Sequence, residues 1–300
     1  MSCQLIVTDV TEIGDPFVLN YKGVYYMYAT SSKEGFKVWK SLDLKNWRDC
    51  GLCYFKQDSF GYMDFWAPEV TVRRDGKLVM HFTAKDKTSN GLRTGVAVAD
   101  SPLGVFRDVY CGKPMFDLGY SVIDAHCFTD DDGKSYLYYV RDVSDNVQQG
   151  IHKSEIYVSP LSDSLTELTA EGKMVLTPSG EEETTLNPTW QWNEGPFVLK
   201  HGGRYYLNYS YNVFDSKYYS VGVAESDSPT GGFVKTNRYL LRYTPTLSGP
   251  GHNSYFTDND GQLWCAFHVH TRYDSPSGDR TACLAPAYFD SDGRLFVRYK

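Results

Sequence analysis

Asp15, Asp124, Glu194 and His252 stand at corresponding places in a repeated unit of the chain, and carboxylates so arranged are the equipment of general acid and base catalysis. The places are found by counting back from five turn glycines. Nine residues before Gly76, Gly133, Gly203 and Gly261 lie Ala67, Asp124, Glu194 and His252, and eight before Gly23 lies Asp15. Any one of these acids alone reads equally well as a turn cap or a bridge between segments. Three at one repeat-equivalent position do not, because like charges converging on one place repel and burial adds to the cost of each.

The elements that must position these side chains are strands. Runs of four to seven β-formers bounded by Gly, Asp, Asn or Ser recur throughout, and almost no window carries helical spacing. Aromatic residues make up 15% of the chain and cluster in words such as Val24-Tyr25-Tyr26-Met27-Tyr28 and Tyr205-Tyr206-Leu207-Asn208-Tyr209. Each turn glycine sits between an apolar and an aromatic strand, as in a hairpin. A Ser-Pro or Ala-Pro follows four of them at Pro102, Pro160, Pro229 and Pro286, so each unit holds more than one hairpin. The spacing predicts an all-β, five-bladed β-propeller, a single domain over residues 1–300 with blades beginning near 14, 66, 123, 193 and 251. A β-sandwich, with seven to nine strands and no such repeat, ranks behind it.

In a propeller the first strand of each blade lines the axis, which gathers the counted positions around one channel. With side-chain ends about 4 Å from a five-fold axis, carboxylates of neighbouring blades lie roughly 5 Å apart and those of non-neighbouring blades roughly 7.5 Å, the wider spacing suiting inverting hydrolysis of a glycosidic bond. Asp15 is non-adjacent to both other acids. Asp124 and Glu194 are neighbours and raise each other's proton affinity, so the longer Glu194 reads as the general acid, Asp15 as the general base, and Asp124 as the ionised group that tunes Glu194.

Composition narrows the class. Lys and Arg number 30 against 37 Asp and Glu, a net charge of −7, which leaves no basic footprint for nucleic acid or anionic membrane. No apolar run approaches the roughly 18 residues of a spanning helix. Residues 1–10 do not read as a signal peptide, so the expected location is cytoplasmic, or extracellular if a leader was trimmed. The seven cysteines show no zinc spacing and read as buried free thiols.

The segments Gly14-Asp15-Pro16-Phe17, Phe65-Trp66-Ala67-Pro68-Glu69, Ile123-Asp124, Glu194-Gly195-Pro196-Phe197 and Gly251-His252-Asn253-Ser254, in this order, resemble the signatures of glycoside hydrolase family 43. So do Ser41-Leu42-Asp43-Leu44-Lys45-Asn46-Trp47 and the Ser-Pro-x-Gly turns at 101–104 and 228–231. The resemblance implies a five-bladed propeller that hydrolyses arabinose- and xylose-containing carbohydrates with inversion, Asp15 matching the base, Asp124 the pKa modulator and Glu194 the acid. It implies for His252 a place beside a calcium or other cation, held directly or through water. No cofactor is needed for the chemistry. Ala125 departs from the proline that often follows the modulator. An exo-acting α-L-arabinofuranosidase or β-xylosidase leads, with an endo-arabinanase as the alternative and, outside enzymes, a sugar-binding propeller or a scaffold for protein partners.

Other residues keep two readings. Trp66 walls the sugar pocket, as the resemblance implies, or packs in the core. Arg280 matches an arginine that reaches sugar or modulator in some members, or is a solvated loop charge. Trp190 and Trp192 stack on a distal sugar or pack between blades. His268 and His270 share a strand face at metal-compatible spacing but lack a third ligand, and Asp130-Asp131-Asp132-Gly133 reads as a hairpin turn rather than a calcium loop. The sequence leaves the sugar, the linkage and the oligomeric state open.

Overall fold

The computed structural model describes residues 4–300, and Cys3 lies outside them. Five antiparallel sheets follow one another along the chain, four of them built from four strands hydrogen-bonded in sequence order. Blade one comprises Gly14–Tyr21, Val24–Thr30, Gly35–Ser41 and Arg48–Phe55. Blade two comprises Gly61–Val72, Leu78–Asp86, Leu92–Ala99 and Arg107–Asp108, starting five residues before the position expected from the repeat. Blade three comprises Val122–Thr129, Ser135–Arg141, Glu155–Leu161 and Lys173–Leu176. Blade four comprises Asn193–His201, Arg204–Tyr211, Ser220–Ser226 and Val234–Leu241. Blade five takes Gly251–Thr257, Leu263–His270 and Arg280–Phe289 from the end of the chain and the strand Ile6–Val7 from its beginning. The fold is the five-bladed β-propeller expected, its ring closed by that borrowed strand.

Strand alternation explains how sheets become a ring. Both faces of a blade are apolar because each faces another blade, and the buried side chains accordingly form five clusters, one in each gap between neighbouring blades. Tyrosine hydroxyls add directional ties across the gaps: Tyr28 of blade one donates to Pro102 O beyond blade two's third strand at 2.8 Å, and Tyr138 of blade three donates to Pro229 O in the matching place. Of the cysteines, Cys53, Cys127, Cys265 and Cys283 are buried free thiols as expected, whereas Cys111 is exposed.

The hairpins that open the blades fall into two kinds. In blades one and four both turn residues are left-handed, Lys22 and Gly23 at φ 54° and 82°, Gly202 and Gly203 at 58° and 80°, the two-residue turn whose twist matches the strands. In blades two, three and five the turn is longer and closes with the glycine N–H on the carbonyl of Arg73, Asp130 or Asp258. Asp130-Asp131-Asp132-Gly133 is thus the hairpin turn expected, and Asp130 further binds Lys200 and the Tyr205 hydroxyl of blade four.

Candidate active site

Every first strand carries a bulge at an equivalent place, its pairing with the second strand shifting register after Gly14, Trp66, Ile123, Glu194 and Gly251, and the longer first strand of blade two has two further shifts before Trp66. The residue after each break has positive φ, 54° at Asp15, 45° at Ala67, 55° at Asp124, 55° at Gly195 and 45° at His252. This corrects the repeat count. Blade four shares the short turn of blade one, so eight residues, not nine, separate its turn glycine from the bulge, and the equivalent of Asp15 is Gly195. Glu194 stands one residue earlier, in register with Ser210. A Cβ on Gly195 would lie 3.1 Å from His252 Nδ1, so the missing side chain leaves room for that imidazole.

The bulge frees a backbone N–H toward the axis, and each is taken by the blade before it. Asp15 N–H donates to His268 Nδ1 (3.1 Å), Ala67 to Thr30 Oγ1 (2.8 Å), Asp124 to Thr83 Oγ1 (3.0 Å) and His252 to Ser210 Oγ (2.8 Å). These acceptors lie seven residues after Gly261, Gly23, Gly76 and Gly203. The fifth such position is Val140, which cannot accept, and the Gly195 N–H instead meets Asp124 Oδ2 at 3.0 Å. A second column of hydrogen-bonding residues was therefore visible in the sequence and is where His268, singled out only for metal spacing, has its role. His270 spends both ring nitrogens on Ser248 Oγ and Phe214 O.

Asp15 is surrounded by donors. Thr30 Oγ1 donates to Oδ2 at 2.6 Å, Arg280 Nη1 to Oδ1 at 3.1 Å, and His252 Nδ1 lies 3.3 Å from Oδ1. Burial alone would raise this carboxyl's pKa, but Arg280, His252, His268 and the Thr30 hydroxyl outweigh it and hold Asp15 ionised, far below the usual carboxylate range. Arg280 is 7% exposed, with its guanidinium 5.2 Å over the Phe214 ring, so it is no solvated loop charge; it pairs with the expected base rather than the modulator. His252 Nδ1 also lies 3.9 Å from Asp124 Oδ2 and so stands between two carboxylates.

Asp124 and Glu194 are shifted the other way. Burial pushes Asp124 up to about 6, with the Asp15 charge adding to the rise and His252 opposing it. Burial raises Glu194 well above the ordinary value, and the negative charge of Asp124 raises it further. Asp142, buried just past blade three's second strand, adds to both and was not singled out from the sequence. The site therefore holds one carboxyl whose surroundings favour the ionised form and one whose surroundings favour the protonated form, the combination that suits a site to take and give a proton.

The remaining expectations divide. Trp66 is half-buried at the register position of Glu194 in blade two and packs against the cluster containing Leu92 and Ile123. Trp190 does not pack between blades: it is 37% exposed, on a small side sheet where it stacks on His152 with centroids 3.8 Å apart, and Trp192 lies 6.4 Å beyond.

Comparison with known proteins places the chain in a family and a fold. The sequence model described as glycosyl hydrolases family 43 matches residues 10–295. The chain is 28% identical to a protein of Aspergillus niger named beta-D-galactofuranosidase xynD, across 94% of this chain and 81% of that one. It is 24% identical to the xylosidase/arabinosidase of Bacteroides ovatus, across 95% and 94%. Among solved structures, a thermostable family-43 glycoside hydrolase superposes with a TM-score of 0.93 and 43% identity, covering 98% of this chain and 95% of that one.

Proposed function

The chain belongs to glycosyl hydrolase family 43 and is a glycosidase, and from that premise we propose that it releases terminal pentose from arabinose- or xylose-containing oligo- or polysaccharides with inversion of configuration. The observation that carries the roles is the contrast in surroundings: Arg280 Nη1 and the Thr30 hydroxyl donate to Asp15, whereas Glu194 is buried near the acids Asp124 and Asp142. Asp15 accepts a proton from a water whose oxygen bonds to the anomeric carbon. The bond from that carbon to the leaving oxygen breaks, its electron pair stays on the leaving oxygen, and Glu194 supplies the proton. Glu194 ends ionised and Asp15 protonated, and proton exchange with solvent restores both. Asp124 keeps Glu194 protonated, and Trp66 and Arg280 border the place where the sugar sits.

A cation at His252 fits the donor set poorly. Calcium takes about six to eight oxygen ligands, whereas among the described residues no group of three or more His, Cys, Asp or Glu side chains is arranged to hold a metal ion. His252 Nδ1 is turned to Asp15 and Asp124. In this reading His252 acts as an N–H between base and modulator, and no step passes through a metal.

Proton NMR during early turnover tests the mechanism. The first-formed sugar should have the anomeric configuration opposite to the substrate's, and retention would overturn the roles of Asp15 and Glu194. The sugar is tested with aryl α-L-arabinofuranoside, β-D-xylopyranoside and β-D-galactofuranoside beside linear arabinan and xylo-oligosaccharides. Preference for the galactofuranoside would displace the pentose reading, and internal cleavage of arabinan would favour an endo-arabinanase.

A further inference from the structure

Glu194 carries a partner that neither the repeat nor the family resemblance identifies. Tyr219, the last residue before the third strand of blade four, is 1% exposed, and its hydroxyl donates to Glu194 Oε1 at 2.8 Å. To get there its ring passes over Gly251, where a Cβ would lie 2.1 Å from Cδ1 and Cε1 of Tyr219. Blade five repeats the device. Arg280, opening that blade's third strand, crosses Gly14, where a Cβ would lie 1.9 Å from Nη2, and reaches Asp15 Oδ1. Gly14 and Gly251 hold the same register position, the residue just before the bulge, which in the other blades is Trp66, Ile123 and Glu194. Two of five blades therefore lack a side chain where the preceding blade sends a group across to a carboxyl.

We propose that Tyr219 is a positioning residue for the general acid: its hydrogen bond occupies Oε1 and so directs the transferable proton to Oε2, and Gly251 is the opening that admits its ring. The inference rests on Glu194 being the acid, as proposed above. A protonated carboxyl carries its proton on one oxygen and accepts on the other, so a donor fixed on Oε1 orders the pair. When the proton leaves for the departing sugar oxygen, Glu194 becomes an anion facing Asp124 and Asp142 from blade three and Asp15 from blade one, with His252 beside Gly195. Among the described residues Tyr219 is the sole hydrogen-bond donor to this carboxyl, and a donor binds the anion more strongly than the acid. The stabilisation thus grows as the proton is given up. The ring is held for this by a parallel stack on His268, centroids 5.6 Å apart and planes at 4°, and His268 is the acceptor of the Asp15 N–H.

The test compares Tyr219→Phe, Gly251→Ala and Glu194→Ala with the parent on a pentose oligosaccharide and on a 4-nitrophenyl pentoside, with pH profiles of kcat and with melting curves to confirm folding. Tyr219→Phe should lower kcat on the oligosaccharide about ten- to a hundredfold and spare the nitrophenyl substrate, whose leaving group needs little protonation. Losing a donor to the carboxylate raises the pKa of Glu194, so the basic limb should move to higher pH. Gly251→Ala, which displaces the ring without altering it, should repeat both changes. Equal loss on the two substrates, or a basic limb that stays or moves down in folded Tyr219→Phe, overturns the inference. If Glu194→Ala keeps the split between substrates while Tyr219→Phe shows none, only Tyr219 has been misread; if Glu194→Ala loses equally on both, the acid assignment itself fails.

Discussion

Asp15 and Glu194 are both buried carboxyls, and what separates them is the sign of their neighbours. Arg280 is the largest favourable influence on the ionised form of Asp15, so Arg280→Met should raise the Asp15 pKa, the effect of burial then being opposed less strongly. The base is then protonated at higher pH, and the acid limb of the kcat/KM profile should move up; an unmoved limb in a folded variant would show that Asp15 is not the titrating base. Asp124→Asn removes the negative charge beside Glu194 and should carry the basic limb down, the direction opposite to that expected of Tyr219→Phe. Much of this was readable beforehand, because the carboxylates and His252 recur at intervals that survive in one chain. The contacts that assign their charge were not. Asp15 meets His268 and Arg280 across more than 250 residues, and the use of Tyr219 depends on a glycine in the next blade. Counting intervals registers neither.

At the scale of a strand and its turn, the error in the repeat count has a physical cause and a testable consequence. One residue more or less in a hairpin turn shifts every position behind it, and the double glycine at 202–203 is the mark of the shorter turn. With the count corrected, the left-handed bulge of blade four falls on Gly195, and there a side chain is doubly unwelcome: φ is 55° and a Cβ would press on His252 Nδ1 at 3.1 Å. Gly195→Ala should cost about 1–2 kcal/mol of stability for the left-handed backbone. It should also reduce kcat about tenfold by displacing His252 from between Asp15 and Asp124. Thermal melts and initial rates on the folded variant check the two parts separately. Activity at the parent level would mean that His252 yields without consequence and is a packing residue. The acceptor column Thr30, Thr83, Val140, Ser210 and His268 follows the turn glycines at a constant seven residues and was equally present in the sequence. It lacked only the knowledge that the bulge leaves an N–H to be met.

The ring as a whole sets the distance between groups that belong to different blades: the base is on blade one, the modulator on three, the acid on four, and His252, His268 and Arg280 on five. Blade number was legible from the turn glycines, but the closure was not, because a strand of two residues carries no alternation. Ile6 pairs with Leu284 and Val7 with Cys283, the Thr8 N–H donates to Ala282 O at 3.0 Å, the Thr8 hydroxyl reaches the same carbonyl at 2.9 Å, and Ala282 N–H returns to Val10 O. Behind this strand Val10 and Ile13 join the cluster that packs blade five on blade one with Val18, Phe256 and Trp264. Thr8→Pro deletes both donors at the seam and leaves the remote site chemistry untouched. It should lower stability by about 2–3 kcal/mol, a fall in Tm of several degrees for a chain of this size. Because every group that holds Asp15 ionised apart from Thr30 comes from blade five, loosening the seam should release the base and the fold together. Heat inactivation and loss of near-ultraviolet circular dichroism should therefore coincide in Thr8→Pro as in the parent, with kcat at low temperature unchanged. An unaltered Tm would show that the borrowed strand does not hold the ring shut, and activity lost well before the melt would show that blade five loosens by itself.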